Sequence, residues 1–397
     1  MTLVGALRRC LLVSLITAMT TPPASAAPDI RLTPLTFAAI AGWSTHDAAG
    51  AAGALRRSCQ EMMADGRGFS RAPRFAGLRA DWASACSAVI AMPAGIDDAA
   101  MRRLLESHYL PFRVEDPTRP QGLFTGYYEA TARGSRHRHG PYRIPIYRKP
   151  DDLVPLDAAA ESRLGTRYGR YVAGHAYPYF TRAEIETGAL AGRGLELLWV
   201  DSLVDAFFIH IQGSGRIVMD DGSTVRLAFA GKSGRPYTAI GAVLYQRGAL
   251  TRDNLSMQSL RDWLARHPVE APGVLRENQS FIFFREVALA DPALGPPGAQ
   301  HVQLTPLRSL AVDRAWWALG TPVWLDSSVI KPGQNDRPFR MLMVAQDTGS
   351  AILGAVRGDV FFGAGDEAAI LAGYMKSPGR MIVLLPKQLA GRLRLAP

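Results

Sequence analysis

The sequence predicts a mainly β fold with helical additions, of the α+β class, and three observations carry that prediction. Residues 28–115 place apolar side chains at helical spacing. From Leu123 to about Arg226 the chain turns rich in Gly, Pro and Tyr, with short apolar or alternating runs between turn signals. After the proline-containing stretch from Ala288 to Gly298, strand-like runs return to the end of the chain.

The N-terminus comes first because it sets the compartment. Arg8 and Arg9 precede an apolar run from Cys10 to about Met19, and Ala24-Ser25-Ala26 follows with small residues at cleavage spacing. This pattern predicts a signal peptide over 1–26, cleaved after Ala26, and a soluble periplasmic product without a stable membrane anchor. Asp97 and Asp98 can cap a helix carrying Met101, Leu104, Leu105 and Tyr109 on one side. In the middle section the strand candidates are Leu123–Tyr128, Leu197–Val200, Phe207–Gln212 and Gly215–Val218, the last closed by an Asp220-Asp221-Gly222 turn. Ser256 can cap a helix with Met257, Leu260, Trp263 and Leu264 on one face, ended by Pro268. Further strands are expected at Pro322–Leu325, Met341–Ala345, Val360–Phe362 and Met381–Leu385. Between the last two lies a helix with Asp366 and Glu367 in its first turn and Ile370, Leu371, Tyr374 and Met375 as its apolar side, stopped by Pro378-Gly379.

Losing 1–26 leaves about 370 residues, too many for one core and enough for two domains. The predicted signal holds two arginines and no acid, so the formal charge drops from +10 to +8. A moderately basic exported protein suits an anionic polymer such as the carboxylate-bearing cell wall. Nucleic acid is excluded as a partner, because the basic residues are scattered and the compartment is wrong. Cys59 and Cys86 remain and could form a disulfide, while the lack of a nearby histidine pair argues against zinc. No metal-protease, Walker or dinucleotide motif stands in a strand-to-helix context.

Aspartates embedded in apolar strands are the informative polar residues. Asp347 follows Leu342-Met343-Val344-Ala345-Gln346, Asp359 sits between Gly358 and Val360-Phe361-Phe362, and Asp313 follows Ser309-Leu310-Ala311-Val312. A carboxylate at such a place is costly unless bonded or used. Asp347-Thr348-Gly349-Ser350 also has the form of an aspartic-protease loop, but those enzymes need two such aspartates and the chain has one.

Several segments then occur in a fixed order: Phe124-Thr125-Gly126-Tyr127-Tyr128, Phe208–Gly215, Ala230-Gly231-Lys232 with Tyr237 and Ile240-Gly241, Ser256-Met257-Gln258, Gln279–Phe284, Leu342–Gly354 and Arg357–Pro386. Over roughly 100–390 the chain resembles the membrane-bound lytic murein transglycosylase A family, with its C-terminal three-aspartate (3D) domain. The resemblance implies a double-psi β-barrel built from both ends of the chain, a second β-barrel-like domain inserted into it, and a glycan groove between them. The expected division is 27–130 for the helical N-terminal part, 131–290 for the inserted substrate domain and 291–397 for the three-aspartate part. By position in the motifs the catalytic aspartate falls on Asp359, with Asp347 and Asp313 as the supporting pair. Ser350 and Leu353 depart from the Gly and Lys frequent in the family, and no lipid-attachment cysteine is recognisable.

The implied reaction needs one carboxyl group where ordinary glycosidases need two. The acid protonates the oxygen between N-acetylmuramic acid and N-acetylglucosamine; the muramic 6-hydroxyl then attacks its own anomeric carbon, giving a 1,6-anhydro sugar. Thr125, Gly126, Tyr127, Tyr128, Gln212, Ser214 and Gly215 are the candidate substrate contacts, since aromatic faces, amides and hydroxyls suit pyranose rings; the Gly213–Gly215 run can also be read as a turn. Glu129 is a minor second candidate for the acid. No metal or organic cofactor is required. The expected partner is the peptidoglycan glycan strand, with proteins of cell-wall synthesis or division as further candidates, and the chain is expected to be a monomer. The alternatives are an inactive wall-binding module and a hydrolysing muramidase on the same groove.

Overall fold

A computed structural model describes residues 30–64, 67–251, 254–288, 291–329 and 337–395. The predicted signal peptide lies outside the described residues. The α+β class holds: strands dominate and helices pack at their margins.

Three helices, α1 (Ala52–Ala64), α2 (Arg79–Ala91) and α3 (Asp98–His108), form the N-terminal part. The Asp97 side chain caps α3 by accepting from the Ala100 amide at 2.7 Å, and Met101 and Leu105 face the core. Leu104 is partly buried, and Tyr109 already begins the next strand. Cys59 of α1 and Cys86 of α2 are joined by a disulfide with Cα atoms 5.0 Å apart.

Strand β1 (Gly122–Ser135) is the spine of the molecule. Its first half, from Leu123 to Glu129, runs parallel to the strand Arg357–Ala364; its second half, from Ala130 to Gly134, runs parallel to β2 (Ser214–Met219). Beyond β2 lie β3 (Thr224–Lys232) and β4 (Ile282–Val287), both antiparallel. In the C-terminal part, β5 (Ser309–Val312), β6 (Pro322–Val329), β7 (Arg337–Asp347), β8 (Arg357–Ala364) and β9 (Lys376–Pro386) complete a second system. The order β1-β8-β5-β7-β6-β9 returns to β1 through Thr125–Lys376 pairing, so six strands close into a ring. Closure leaves these strands no free edge. The ring core holds Leu310, Val323, Trp324, Leu342, Val344 and Val383, all fully buried.

Helix α1 is tied to the ring by buried amides as well as apolar packing. Gln346 donates to Ser58 Oγ at 2.8 Å and to the Ala54 carbonyl at 3.0 Å, and Ser58 donates to Gln300 Oε1 at 2.8 Å. Buried polar groups of this kind need their partners, and the network fixes the residue just before Asp347.

Three local expectations are corrected. Phe207–Gln212 is the second half of a helix, α4 (Leu203–Gln212), capped by Ser202. Its apolar run is too short for periodicity to separate strand from helix. Helix α6 (Asp366–Tyr374) ends four residues before Pro378, and Pro378-Gly379 lie inside β9. The face of α6 that is buried carries Ala368 and Ala372, while Ile370 is exposed. The Ser256-capped helix α5 (Met257–Arg266) forms as read, with Trp263 and Leu264 buried.

Candidate active site

The two strand systems meet at a cleft of about 310 Å³, lined by Thr125, Tyr127, Gln212, Tyr237, Arg357 and Asp359 among others. Register brings its acids together. Ala311 of β5 is paired antiparallel with Asp359 of β8 and parallel with Asp347 of β7, so both carboxylates flank one residue of the strand between them. Asp359 in turn pairs with Thr125 of β1.

The Asp359 carboxylate has a defined orientation. Arg357, two residues earlier and on the same face of β8, donates from Nη2 to Thr125 Oγ1 at 2.8 Å. A guanidinium can only donate, so the Thr125 hydrogen is free to point at Asp359, and Thr125 Oγ1 donates to Asp359 Oδ1 at 2.5 Å. Oδ1 is occupied as an acceptor, and a proton on Asp359 belongs on Oδ2. Burial pushes the Asp359 carboxyl up to about 6; the Thr125 bond and the Arg357 charge pull it down, and the Asp347 carboxylate pushes it up.

Asp347 accepts from Tyr127 Oη at 2.9 Å and from the Ala299 amide at 2.9 Å. Its carboxyl is raised, by burial first, against these hydrogen bonds. Burial and both aspartates hold the Tyr127 hydroxyl well above its ordinary range, so it stays a donor. The Tyr127 ring rests on the buried Phe361 ring, with centroids 5.2 Å apart, in a small apolar cluster behind the cleft.

Asp313 sits outside the cleft lining. It accepts from the Ala315 amide at 2.9 Å and from the Gly354 amide at 2.7 Å, bracing the loop between the other two aspartates. Gly126 lines the cleft, and its missing side chain matters: a Cβ there would lie 2.6 Å from the Phe362 ring and 2.7 Å from Ala372 Cα. Gln212 lines the cleft and accepts from the Tyr128 amide at 3.1 Å. Tyr128, Ser214 and Gly215 lie outside the lining. Tyr128 packs in the main buried apolar cluster, Ser214 and Gly215 open β2, and Gly213 ends α4 in a left-handed turn at φ 75°. Glu129 is fully buried and accepts from Arg216 Nε at 2.6 Å and Arg226 Nε at 2.7 Å, an ion cluster away from the cleft. Ser350, one of the departures from the family pattern, accepts from Lys232 Nζ at 2.9 Å and so links the two sides of the cleft.

Sequence reasoning missed several lining groups, four of which bear on the chemistry. Arg357 was readable, because period two puts it beside Asp359. Tyr237, half exposed on the wall, stood within a quoted segment but carried no role. Arg182 and His210 come together only in three dimensions. Arg182 Nη2 donates to His210 Nδ1 at 3.3 Å, and both residues line the cleft while almost fully buried. Since Nδ1 must accept, the neutral ring carries its hydrogen on Nε2. Burial first, then the Arg182 charge, hold His210 well below its ordinary range, so it is neutral. Among the described residues no group of three His, Cys, Asp or Glu side chains is placed to hold a metal ion.

The ensemble is a carboxyl-acid site in a cleft between a six-stranded ring and an inserted sheet. The family description "MltA specific insert domain" matches residues 123–285, and "3D domain" matches 308–385. A membrane-bound lytic murein transglycosylase A of Vibrio cholerae is 37% identical over 206 residues, 51% of this chain and 54% of that protein. Its Escherichia coli K12 counterpart is 34% identical over 274 residues, 68% of this chain and 67% of that protein. Among solved structures, a membrane-bound lytic murein transglycosylase from Agrobacterium tumefaciens superposes with a TM-score of 0.82 at 33% identity, covering 91% of this chain and 99% of that one. E. coli MltA with bound chitohexaose gives 0.63 at 28% identity, covering 90% of this chain and 92% of that one. The chain belongs to the membrane-bound lytic murein transglycosylase A family.

Proposed function

We propose that this protein cleaves the glycan strands of peptidoglycan between N-acetylmuramic acid and N-acetylglucosamine without consuming water. The observation that carries this reading is the Asp359 carboxyl, raised to about 6 and held on one oxygen by Thr125. Asp359 Oδ2 gives its proton to the leaving glycosidic oxygen. The resulting carboxylate then takes the proton of the muramic 6-hydroxyl as that oxygen closes on the anomeric carbon, forming a 1,6-anhydro sugar. Burial, with a smaller contribution from Asp347, keeps the Asp359 proton affinity high, and Asp347 anchors Tyr127 at the cleft. His210 Nε2 and Gln212 offer fixed polar groups to sugar oxygens, and Tyr237 offers an aromatic face. Asp313 has a bracing role through Gly354. The bound chitohexaose of the E. coli relative supports a β-1,4-linked amino-sugar chain as the ligand. Export to the periplasm follows from residues 1–26 read as a signal peptide.

Mass spectrometry of muropeptides released from purified peptidoglycan, wild type beside Asp359→Asn, tests the reading. Products one water lighter than hydrolysed ones, absent with the variant, are expected. Reducing-end products would make the protein a hydrolase. Tight wall binding without any release by the wild type would make it a binding module.

A further inference from the structure

The catalytic cleft does not end at Arg357. Ala351 and Arg357 are shared with a second hollow of about 290 Å³, and that hollow shares Asp116, Arg119 and Val356 with a third of about 440 Å³. Through these shared residues the three hollows adjoin one another near the Gly122 end of β1, by Leu123 and Leu353, whose side chains are exposed apolar surface.

The charges along these hollows are one-sided. Arg357, Arg119, Arg113, Arg31 and Arg380 line them, against Glu115 and Asp116. Both acids are already engaged. Glu115 accepts from Arg113 at 2.8 Å and Thr33 at 2.9 Å, and Asp116 Oδ1 accepts the amide and hydroxyl of Thr118 at 2.9 and 2.6 Å. Arg119 and Arg380 are exposed and make no side-chain hydrogen bond or ion pair among the described residues. Two uncommitted guanidinium groups beside apolar floor suit a carboxylate carried on a chain.

We propose that this basic arm binds carboxylate groups of the murein polymer lying beyond the scissile bond. The inference rests on the murein-cleaving reading and adds to it a substrate preference for strands whose anionic groups reach the arm. Two sources share that chemistry: the carboxylates of stem peptides, and the lactyl carboxylate left on muramic acid when the peptide is absent. The neutral amino-sugar chain itself gains nothing from the arm.

Binding tests this without needing turnover. In an Asp359→Asn background, which keeps the polymer intact, co-sedimentation would compare the parent, Arg119→Glu/Arg380→Glu and Arg119→Lys/Arg380→Lys. The polymers are peptide-bearing murein and amidase-stripped murein, with chitohexaose titrated separately. The glutamate pair is expected to bind peptide-bearing murein about tenfold more weakly at low salt, with the difference fading near ~1 M salt. The lysine pair should restore most of the binding, and chitohexaose should bind all three alike. Weakening on stripped murein alone assigns the lactyl carboxylate, weakening on peptide-bearing murein alone assigns the stems, and weakening on both assigns the two together; each of these outcomes supports the arm. Unchanged binding to both polymers, or an equal loss of chitohexaose, overturns it. A parent protein that binds neither murein nor chitohexaose would instead remove the functional reading on which the arm depends.

Discussion

Asp347 and Asp359 face each other across Ala311, one in parallel and one in antiparallel register with it. Two carboxylates so placed resist ionising together, and Asp359 is the one that opens on the cleft.

Asp359→Asn should abolish glycan release while leaving the protein folded. The stability effect has a definite sign. Asp359 has a higher proton affinity folded, at about 6, than unfolded, at 3.8. Its stabilising contribution is therefore full below the unfolded value and is lost as pH rises through the folded value. The asparagine variant should gain up to about 3 kcal/mol over wild type at pH 7, and the gain should shrink to under about 1 kcal/mol near pH 4. Thermal unfolding at the two pH values measures it; a variant destabilised equally at both would contradict a strained carboxylate.

Activity should fall as pH rises through about 6, and Arg357 sets where. Its charge lowers the Asp359 value, so Arg357→Met should move the falling limb to higher pH. Thr125→Val should move it the same way and slow release about tenfold, because the proton is no longer confined to one oxygen; Thr125→Ser should behave like wild type. A limb that stays in place in both Arg357→Met and Thr125→Val would disconnect these residues from the acid.

His210→Phe should weaken substrate binding with the pH limb unmoved. One neutral hydrogen bond corresponds to about 1 kcal/mol, so KM should rise roughly fivefold with kcat nearly intact. Steady-state kinetics on soluble glycan strands separates the two. An unchanged KM would leave the Nε2 hydrogen without a role.

Glu129→Gln should act on stability and not on chemistry. Arg216 and Arg226 would lose their shared buried counter-ion, a loss of about 3 kcal/mol or more. Denaturant unfolding should register it, while the pH limb of the remaining activity stays at its wild-type position. A displaced limb would return Glu129 to the list of candidate acids.

Much of the cleft lining is legible in the sequence. Asp359, Thr125 and Tyr127 stood in ordered motifs, and the helix caps at Asp97 and Ser256 followed from local chemistry. Local chemistry fails where the deciding contact is distant. Phe207–Gln212 reads as a strand until its helix packs under β1. Tyr128 and Ser214, expected as sugar contacts, are buried outside the cleft lining, the one in an apolar cluster and the other at the start of a ladder, and spacing alone does not show that burial. The hydrogen on His210 Nε2 depends on Arg182, 28 residues earlier, and no spacing rule connects them.

Strand β1 gives its first half to the ring and its second half to the inserted sheet, and changes neighbour at Glu129 and Ala130. At that point Arg226 also holds the returning chain, donating to the Leu294 carbonyl at 2.6 Å, and Arg216 holds the Pro292 carbonyl at 2.9 Å. Outgoing and returning connections are thus clamped to the same buried carboxylate. Widening the gap between the lobes would have to bend a continuous strand at Glu129 and Ala130, beside that carboxylate, where hinged enzymes turn a few loop dihedrals. The two lobes are therefore coupled through one strand and one carboxylate, and whatever separates them must act at Glu129 and Ala130.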